Sequence, residues 1–398
     1  MDGVIFLPEE TPRVYVGVQL ADIHTGPIEP EQWLYELTEG FIKPVKKLAI
    51  LDYIVIAGDY FDSKLSMNSK AAKYGLKFFT MILELCEEKG AKLRVIKGTE
   101  SHDNKQLDIL RVMGTASKCD VRIIESVETE QLFPDFNVLY IPEEYMEDKD
   151  AYYAPYFEQR YQLIVGHGLV NEALPFAVTQ ESESTMSKAP ILDLDTMLSI
   201  CDGYIYFGHI HKSITIKERF RYINSFSRWA FGEEEDKGFC IYYYEPESKT
   251  ARNEYIVNKY ARRYDTIEVI CNPESESSEK EQIEYLLRLA NSMVKDYLRM
   301  EVTIPEEHPN PALITNMINE TFQRHRNIKI KLINNGKLRK EKEVHEKIKK
   351  LLDTYDFVFD KKALPEEKLS KFIKIRYNKE INIDKMKRYL YESLMKGA

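Results

Sequence analysis

Five of the six short apolar runs between residues 14 and 207 lead into a histidine or an aspartate, which limits the open folds more than any other feature. Residues 14–20 (VYVGVQL), 53–57 (YIVIA), 92–97 (KLRVIK), 136–141 (FNVLYI), 161–165 (YQLIV) and 204–207 (YIYF) are rich in β-branched or aromatic residues. They read as buried strands. The first runs into Asp22-Ile23-His24, the second into Gly58-Asp59-Tyr60-Phe61-Asp62, and the third into Gly98-Thr99-Glu100-Ser101-His102-Asp103. The fifth ends on Gly166-His167 and the sixth on Gly208-His209-Ile210-His211. Between the second and third, Ala72, Leu76, Phe79, Leu83 and Cys86 recur at helical spacing, with Gly90 as a C-cap. Strand, helix and strand in this order predict right-handed crossovers and an α/β sheet. Ligands of such sheets bind outside the carboxyl ends of the strands, so the five clusters are expected to meet in one crevice.

Residues i and i+2 of an extended chain point to the same side, so Asp22 with His24, and His209 with His211, can each offer two ligands to one cavity. Glycines 58, 166 and 208 permit a sharp turn at the strand ends. Carboxylate oxygens mixed with imidazole nitrogens suit Mn²⁺, Fe or Zn²⁺ rather than a thiolate-bound metal. Two such ions, about 3.5–4 Å apart, can clamp the attacking and leaving oxygens of a phosphate displacement. A single DxH or GH is ordinarily a turn or a surface histidine, and GDxxD can simply cap a helix. Five in order, each at a strand end, point to a two-metal phosphoesterase.

At 398 residues the chain is longer than one core usually supports, so two or three domains are expected. We divide it into a catalytic domain over 1–265, a small cap or DNA-binding domain over 266–335 and a basic helical tail over 336–398. Runs 214–217, 220–224 and 239–245 look antiparallel and are expected to form a second sheet packed on the first. In the cap, strands at 266–271, 300–304 and 328–333 alternate with helices at 281–297 and 312–324. The net charge of −9 argues against a generic nucleic-acid binder, but it is unevenly spread: residues 336–398 hold 18 Lys and Arg against 11 Asp and Glu. No apolar run approaches the length of a membrane span, and acidic Asp2, Glu9 and Glu10 near the N-terminus predict no secretory signal, hence a cytoplasmic protein. Cysteines 86, 119, 201, 240 and 271 are widely spaced, which suggests neither a disulfide framework nor a thiolate zinc site.

The order DxH, GDxxD, a His-Asp motif, GH and GHxH resembles the calcineurin-like metallophosphoesterase superfamily. Within it, Asn224-Ser225-Phe226-Ser227-Arg228, Phe231-Gly232-Glu233 and Lys237-Gly238-Phe239 resemble the SbcD family, the nuclease subunit of bacterial and phage recombination complexes. The resemblance implies a metallophosphoesterase β-sandwich flanked by helices, acting as a DNA exonuclease or endonuclease with two divalent ions, Mn²⁺ foremost. It implies that Asp22, His24 and His211 hold one ion, His167 and His209 the other, and that Asp59 bridges them. His102 would protonate the leaving oxygen, oriented by Asp62. Relatives pair as homodimers and use C-terminal helices to hold the coiled coil of an SMC-like ATPase. With no GxxxxGK[ST] in this chain, any ATP dependence is expected to come from that partner. Alternatives are a phosphomonoesterase or cyclic phosphodiesterase of the same superfamily, and a catalytically weak DNA-end-binding scaffold.

One departure matters. The family's third motif reads GNHD and its asparagine supplies an amide oxygen to the second ion, whereas here Ser101 precedes His102. Glu100 or Asn104 could take that place, or a water, or the second ion binds weakly. A weakened but functional site is the expectation. Tyr140, Tyr145, Tyr152, Tyr153, Tyr156, Phe157 and Tyr161 form an aromatic patch that either packs a loop or stacks on unpaired bases. Arg228 is a candidate phosphate contact or a structural partner. The interleaved Lys and Glu of 337–350 read as a solvated helix. Apolar stripes at Leu369, Phe372, Ile373 and Tyr377, and at Ile383, Met386, Leu390 and Leu394, suit docking on a partner or closure onto the cap.

Overall fold

The computed structural model describes residues 13–174, 191–271, 278–305 and 308–334, and six residues between 367 and 374. In chain order the first unit contains β1 (Tyr15–Leu20), α1 (Pro30–Leu37), α2 (Lys43–Lys46), β2 (Tyr53–Ala57), α3 (Lys70–Lys89), β3 (Lys92–Ile96), α4 (Leu107–Ala116) and β4 (Val121–Ile124). There follow β5 (Glu128–Phe133), β6 (Phe136–Ile141), α5 (Lys149–Phe157), β7 (Tyr161–His167), β8 (Leu169–Val170), β9 (Ile191–Leu192), α6 (Leu194–Ile200) and β10 (Cys201–Gly208). β11 (Ile214–Ile216), β12 (Phe220–Tyr222), β13 (Gly238–Glu245) and β14 (Thr250–Val257) complete it. The chain is thus α/β with mixed sheets.

Two six-stranded sheets dominate, ordered β14-β13-β1-β2-β3-β4 and β11-β12-β10-β7-β6-β5. β1 to β4 run parallel in the first, and β6, β7, β10 and β12 run parallel in the second. Side chains alternate across each strand, and both faces are apolar. From β2, Ile54 and Ile56 pack outward with Trp33, Phe41, Phe78 and Ile82, whereas Tyr53, Val55 and Ala57 turn inward against Val138, Tyr140, Leu163 and Tyr206 of the second sheet. The second sheet's outer face carries Leu139, Ile164 and Phe207 against Tyr153 and Met197 of α5 and α6. The sheets therefore share one inner core, with helices on both outer faces.

α3 matches its sequence signature: Ser69 accepts from the Ala72 N–H as N-cap and Gly90, at φ 68°, closes the helix. β13 corrects the expectation that 239–245 belongs to the second sheet. It pairs antiparallel with β1 in the first, Val18 opposite Ile241. β11 and β12 pair antiparallel as expected, but the second sheet's other pairs in β12-β10-β7-β6 are parallel. Five strands of the first unit were not foreseen: β4, β5, β8, β9 and β14.

The chain divides into two compact units, Met1–Asp265 with Lys295–Tyr297, and Thr266–Val294 with Leu298–Ala398. The second unit holds most of a three-stranded sheet, β15 (Tyr264–Ile270), β16 (Tyr297–Ile304) and β17 (Ile328–Asn334), covered by α7 (Glu279–Met293) and α8 (Pro311–Phe322). The α7 helix was expected to reach Tyr297 but stops at Met293, because Leu298, Met300, Val302 and Ile304 bury at period two as a strand. The region from 336 onward, with both apolar stripes, lies almost wholly outside the described residues. Among the described residues, no helix is long and apolar enough to cross a membrane.

Candidate metal centre

β1, β2 and β3 are parallel neighbours in one sheet, and β10, β7 and β6 in the other, so both rows of carboxyl ends deliver side chains to one edge of the shared core. Asp22, His24 and His211 bring ligand atoms within 4.8 Å of one another, and so do Asp22, Asp59 and His167. Glu143, His167 and His209 form another such group, and His24, Asp59 and His102 a fourth. Asp59 belongs to two of these groups, which places it between the histidine sets.

The backbone is strained where the ligands sit. Among the described residues nine non-glycines have positive φ, and four are Asp22 (49°), His24 (47°), Asp59 (50°) and His209 (94°). L-residues avoid this region, and such outliers gather where a site over-determines the backbone. Ladder-like bonds hold the turns: Asp22 N–H donates to Gly58 O, His24 N–H to Asp59 O and Thr25 N–H to Tyr60 O. Two glycines are required for closeness. A Cβ on Gly58 would lie 2.1 Å from His167 Nδ1, and one on Gly98 would lie 2.2 Å from Asp59 Oδ1.

The histidine rings are oriented by their other atoms. His167 Nδ1 donates to the Ala57 carbonyl at 2.9 Å, leaving Nε2 facing Asp59 Oδ2 at 3.3 Å. His24 Nε2 and His211 Nε2 converge at 2.9 Å. Lys237, fully buried, donates to the His211 carbonyl at 2.6 Å and pairs with Glu233 at 2.8 Å. Asp103 joins the second and third motifs: Oδ2 accepts from Gly98 and Asp59 N–H, and Oδ1 from Phe61 N–H. We expect Asp103→Ala, which orphans three buried donors, to cost at least about 1–3 kcal/mol in urea unfolding; an unchanged midpoint would refute that linkage.

Burial lowers the His24 ring to about 3 and holds His211 well below its ordinary value, so both are neutral ligands with a lone pair to give. Burial also opposes charge on His167, but the Asp59 carboxylate beside it prevails and raises the ring to about 10. Burial lifts Asp22 to about 7. Asp59, despite burial, is held well below the carboxylate range by His167 and by His102. These buried imidazoles and carboxylates could hold a metal ion. Loading must expel the His167 proton below about pH 10 and part of the Asp22 proton near pH 7, whereas His24 and His211 have none to lose there. Affinity for Mn²⁺ should therefore rise with pH between about 6 and 9, with at least one proton released at pH 7. Calorimetry in two buffers of different ionisation enthalpy measures this; identical heats would contradict it.

Three expectations need correction. His102 Nδ1 bonds Asp59 Oδ2 at 2.9 Å, and Asp62 sits instead 3.5 Å from His24 Nδ1. Glu100 and Ser101 do not enter the site: the turn closed by His102 and Asp103 N–H on Thr99 O throws both outward, and Glu100 pairs with Lys97. Arg228 donates to the backbone carbonyls of Ala261, Arg262, Glu234 and Glu235, which makes it a structural tie. The side chain of Asn104 lies outside the described residues. The aromatic patch is packing: Tyr140, Tyr153 and Tyr161 are buried, Tyr152, Tyr156 and Phe157 pack beside them, and Tyr145 alone is largely exposed.

Two residues were missed. Thr99 N–H donates to Asp59 Oδ1 at 2.7 Å. Glu143 Oε2 lies 3.2 Å from His209 Nδ1 and 3.7 Å from His167 Nε2. The signal for Glu143 was available: it follows the fourth apolar run, the one left without a motif.

No protein-family model matches the chain, and no curated protein does. Solved structures do match; one aligns with 61% of this chain and 100% of its own at 11% identity and TM-score 0.35.

Proposed function

We propose that the chain is a metal-dependent phosphodiester hydrolase of the calcineurin-like metallophosphoesterase type, with DNA as its substrate. The observation that carries this is the sharing of Asp59 between clusters built from the strand ends of both sheets. Asp22, His24 and His211 would hold one divalent ion, His167 and His209 the other, and Asp59 both. Bound there, two such ions would polarise the phosphate and make a nucleophile available near neutral pH.

The chain's own groups prepare the rest. His102 is half-buried at the rim, its Nδ1 fixed on Asp59. Burial opposes its charge, but the bond to Asp59 and the fields of Asp59 and Asp62 raise the ring above its ordinary value. That favours the protonated ring, which would deliver its proton from Nε2 to a leaving oxygen. The resemblance of residues 224–239 to the SbcD family favours DNA over a small phosphoester, and on it rest our proposals of a homodimer and of an SMC-like ATPase partner.

The test is cleavage of labelled single- and double-stranded DNA in Mn²⁺ by wild type and His102→Ala. We expect the variant to lose roughly 10²- to 10⁴-fold in rate. Equal rates, or no cleavage by wild type, would sink the nuclease reading, and faster turnover of a p-nitrophenyl phosphoester would redirect it to small substrates.

A further inference from the structure

We infer that Glu143 is the fourth protein ligand of the second metal ion, a carboxylate standing where the resembled family places an amide. The inference rests on the two-metal reading above and concerns how this chain completes it.

β10 and β7 pair with Gly208 opposite His167, and β7 and β6 pair with Gly166 opposite Ile141. The residues leaving these three parallel strands therefore stand side by side: His209 from β10, His167 at the end of β7, and Glu143 two residues beyond β6. The Glu143 N–H donates to Lys97 O at 3.3 Å, which draws this stretch toward the end of β3 and the third motif. The side chain is only 12% exposed.

The carboxylate meets site atoms. Oε2 is 3.2 Å from His209 Nδ1 and 3.7 Å from His167 Nε2, and Thr99 Oγ1 donates to it at 3.2 Å. These ligand atoms satisfy the same 4.8 Å closeness as Asp22, His24 and His211. Thr99 touches Asp59 and Glu143 together, so it sets the two carboxylates relative to each other. A buried carboxylate needs compensation, and a cation held with two imidazoles and Asp59 supplies it.

The donor sets become alike. Asp22, Asp59, His24 and His211 form one, and Glu143, Asp59, His167 and His209 the other: two carboxylates and two imidazoles each. Exchanging an amide for a carboxylate adds a charged hard oxygen, which strengthens binding of a hard divalent ion. The second site is on this account not weakened by the altered third motif.

Mn²⁺ titration calorimetry and electron paramagnetic resonance on the full chain test this without using cleavage. Wild type should bind two ions and give the spectrum of a spin-coupled pair. Glu143→Gln, which restores an amide, should weaken one binding event by roughly tenfold or more. Glu143→Ala should bind one ion and give the six-line spectrum of isolated Mn²⁺. Glu100→Ala and Ser101→Ala should match wild type. Two tight ions and a coupled spectrum in Glu143→Ala, or loss of an ion in Glu100→Ala or Ser101→Ala instead, would overturn the assignment while leaving the two-metal reading intact. Fewer than two ions in wild type would overturn that reading and the assignment with it. Melting curves, with Glu143→Gln as the near-isosteric variant, separate ligand loss from misfolding.

Discussion

Asp59→Ala is expected to lose both metal ions and, with them, on the order of 10⁴-fold or more of any phosphodiesterase activity. The size follows from position. Asp59 is buried and accepts from Thr99 N–H at 2.7 Å, meets His102 Nδ1 at 2.9 Å and lies 3.3 Å from His167 Nε2. Asp59 belongs to two of the clusters, so on the proposed two-metal reading its removal would strip a ligand from each ion and free the His102 ring proposed to carry the leaving-group proton. Groups acting as one unit are not additive, so Asp59→Ala combined with His211→Ala should be scarcely slower than Asp59→Ala. Calorimetry should record no tight Mn²⁺ binding, and a multiplicative loss of rate in the double variant would contradict this account. Asp59→Asn keeps the size and the acceptor, so it separates lost charge from lost shape.

The legible part of the fold was the part buried on both faces. β2, β3, β6 and β7 are near-continuous apolar runs, and their ends could be placed within a residue or two. β5 and β14 escaped because one face is exposed: ETEQLF and TARNEYIV alternate polar residues with short or aromatic ones, a weak period in so short a window. The site was legible for the same reason as the sheet, since apolar strands end abruptly and whatever follows them faces the crevice. That logic applied equally to β6, yet Ile141-Pro142-Glu143 matches no glycine-histidine pattern, and a glutamate beside a second glutamate looks like solvated surface. Which carboxylate His102 bonds depends on side-chain rotation, and the sequence carries no mark of it. The positive φ at Asp22, His24, Asp59 and His209 is equally hidden, because only the bonds between loops impose it.

Those loops lean on a pair far from any ligand role, and breaking it is expected to have the largest effect on stability. Glu36 of α1 and Arg262, after β14, are both buried and meet in two bonds of 2.9 Å. Ser227 Oγ also donates to Glu36, and the Arg262 guanidinium lies 4.8 Å from the Trp229 ring. Glu36→Ala leaves a buried guanidinium without its counter-charge, which typically costs about 3–5 kcal/mol. Replacing both by methionine removes the unpaired charge along with the bond and should recover most of that loss. Urea unfolding of the single and double variants measures the difference; a single variant as stable as wild type would deny the pair its structural weight. The consequence reaches the site because Trp229 also packs edge-on against His24, ring centroids 5.4 Å apart. Glu36→Ala should therefore weaken Mn²⁺ binding at the His24 and His211 cluster more than at the His167 and His209 cluster, even under conditions where the chain remains folded.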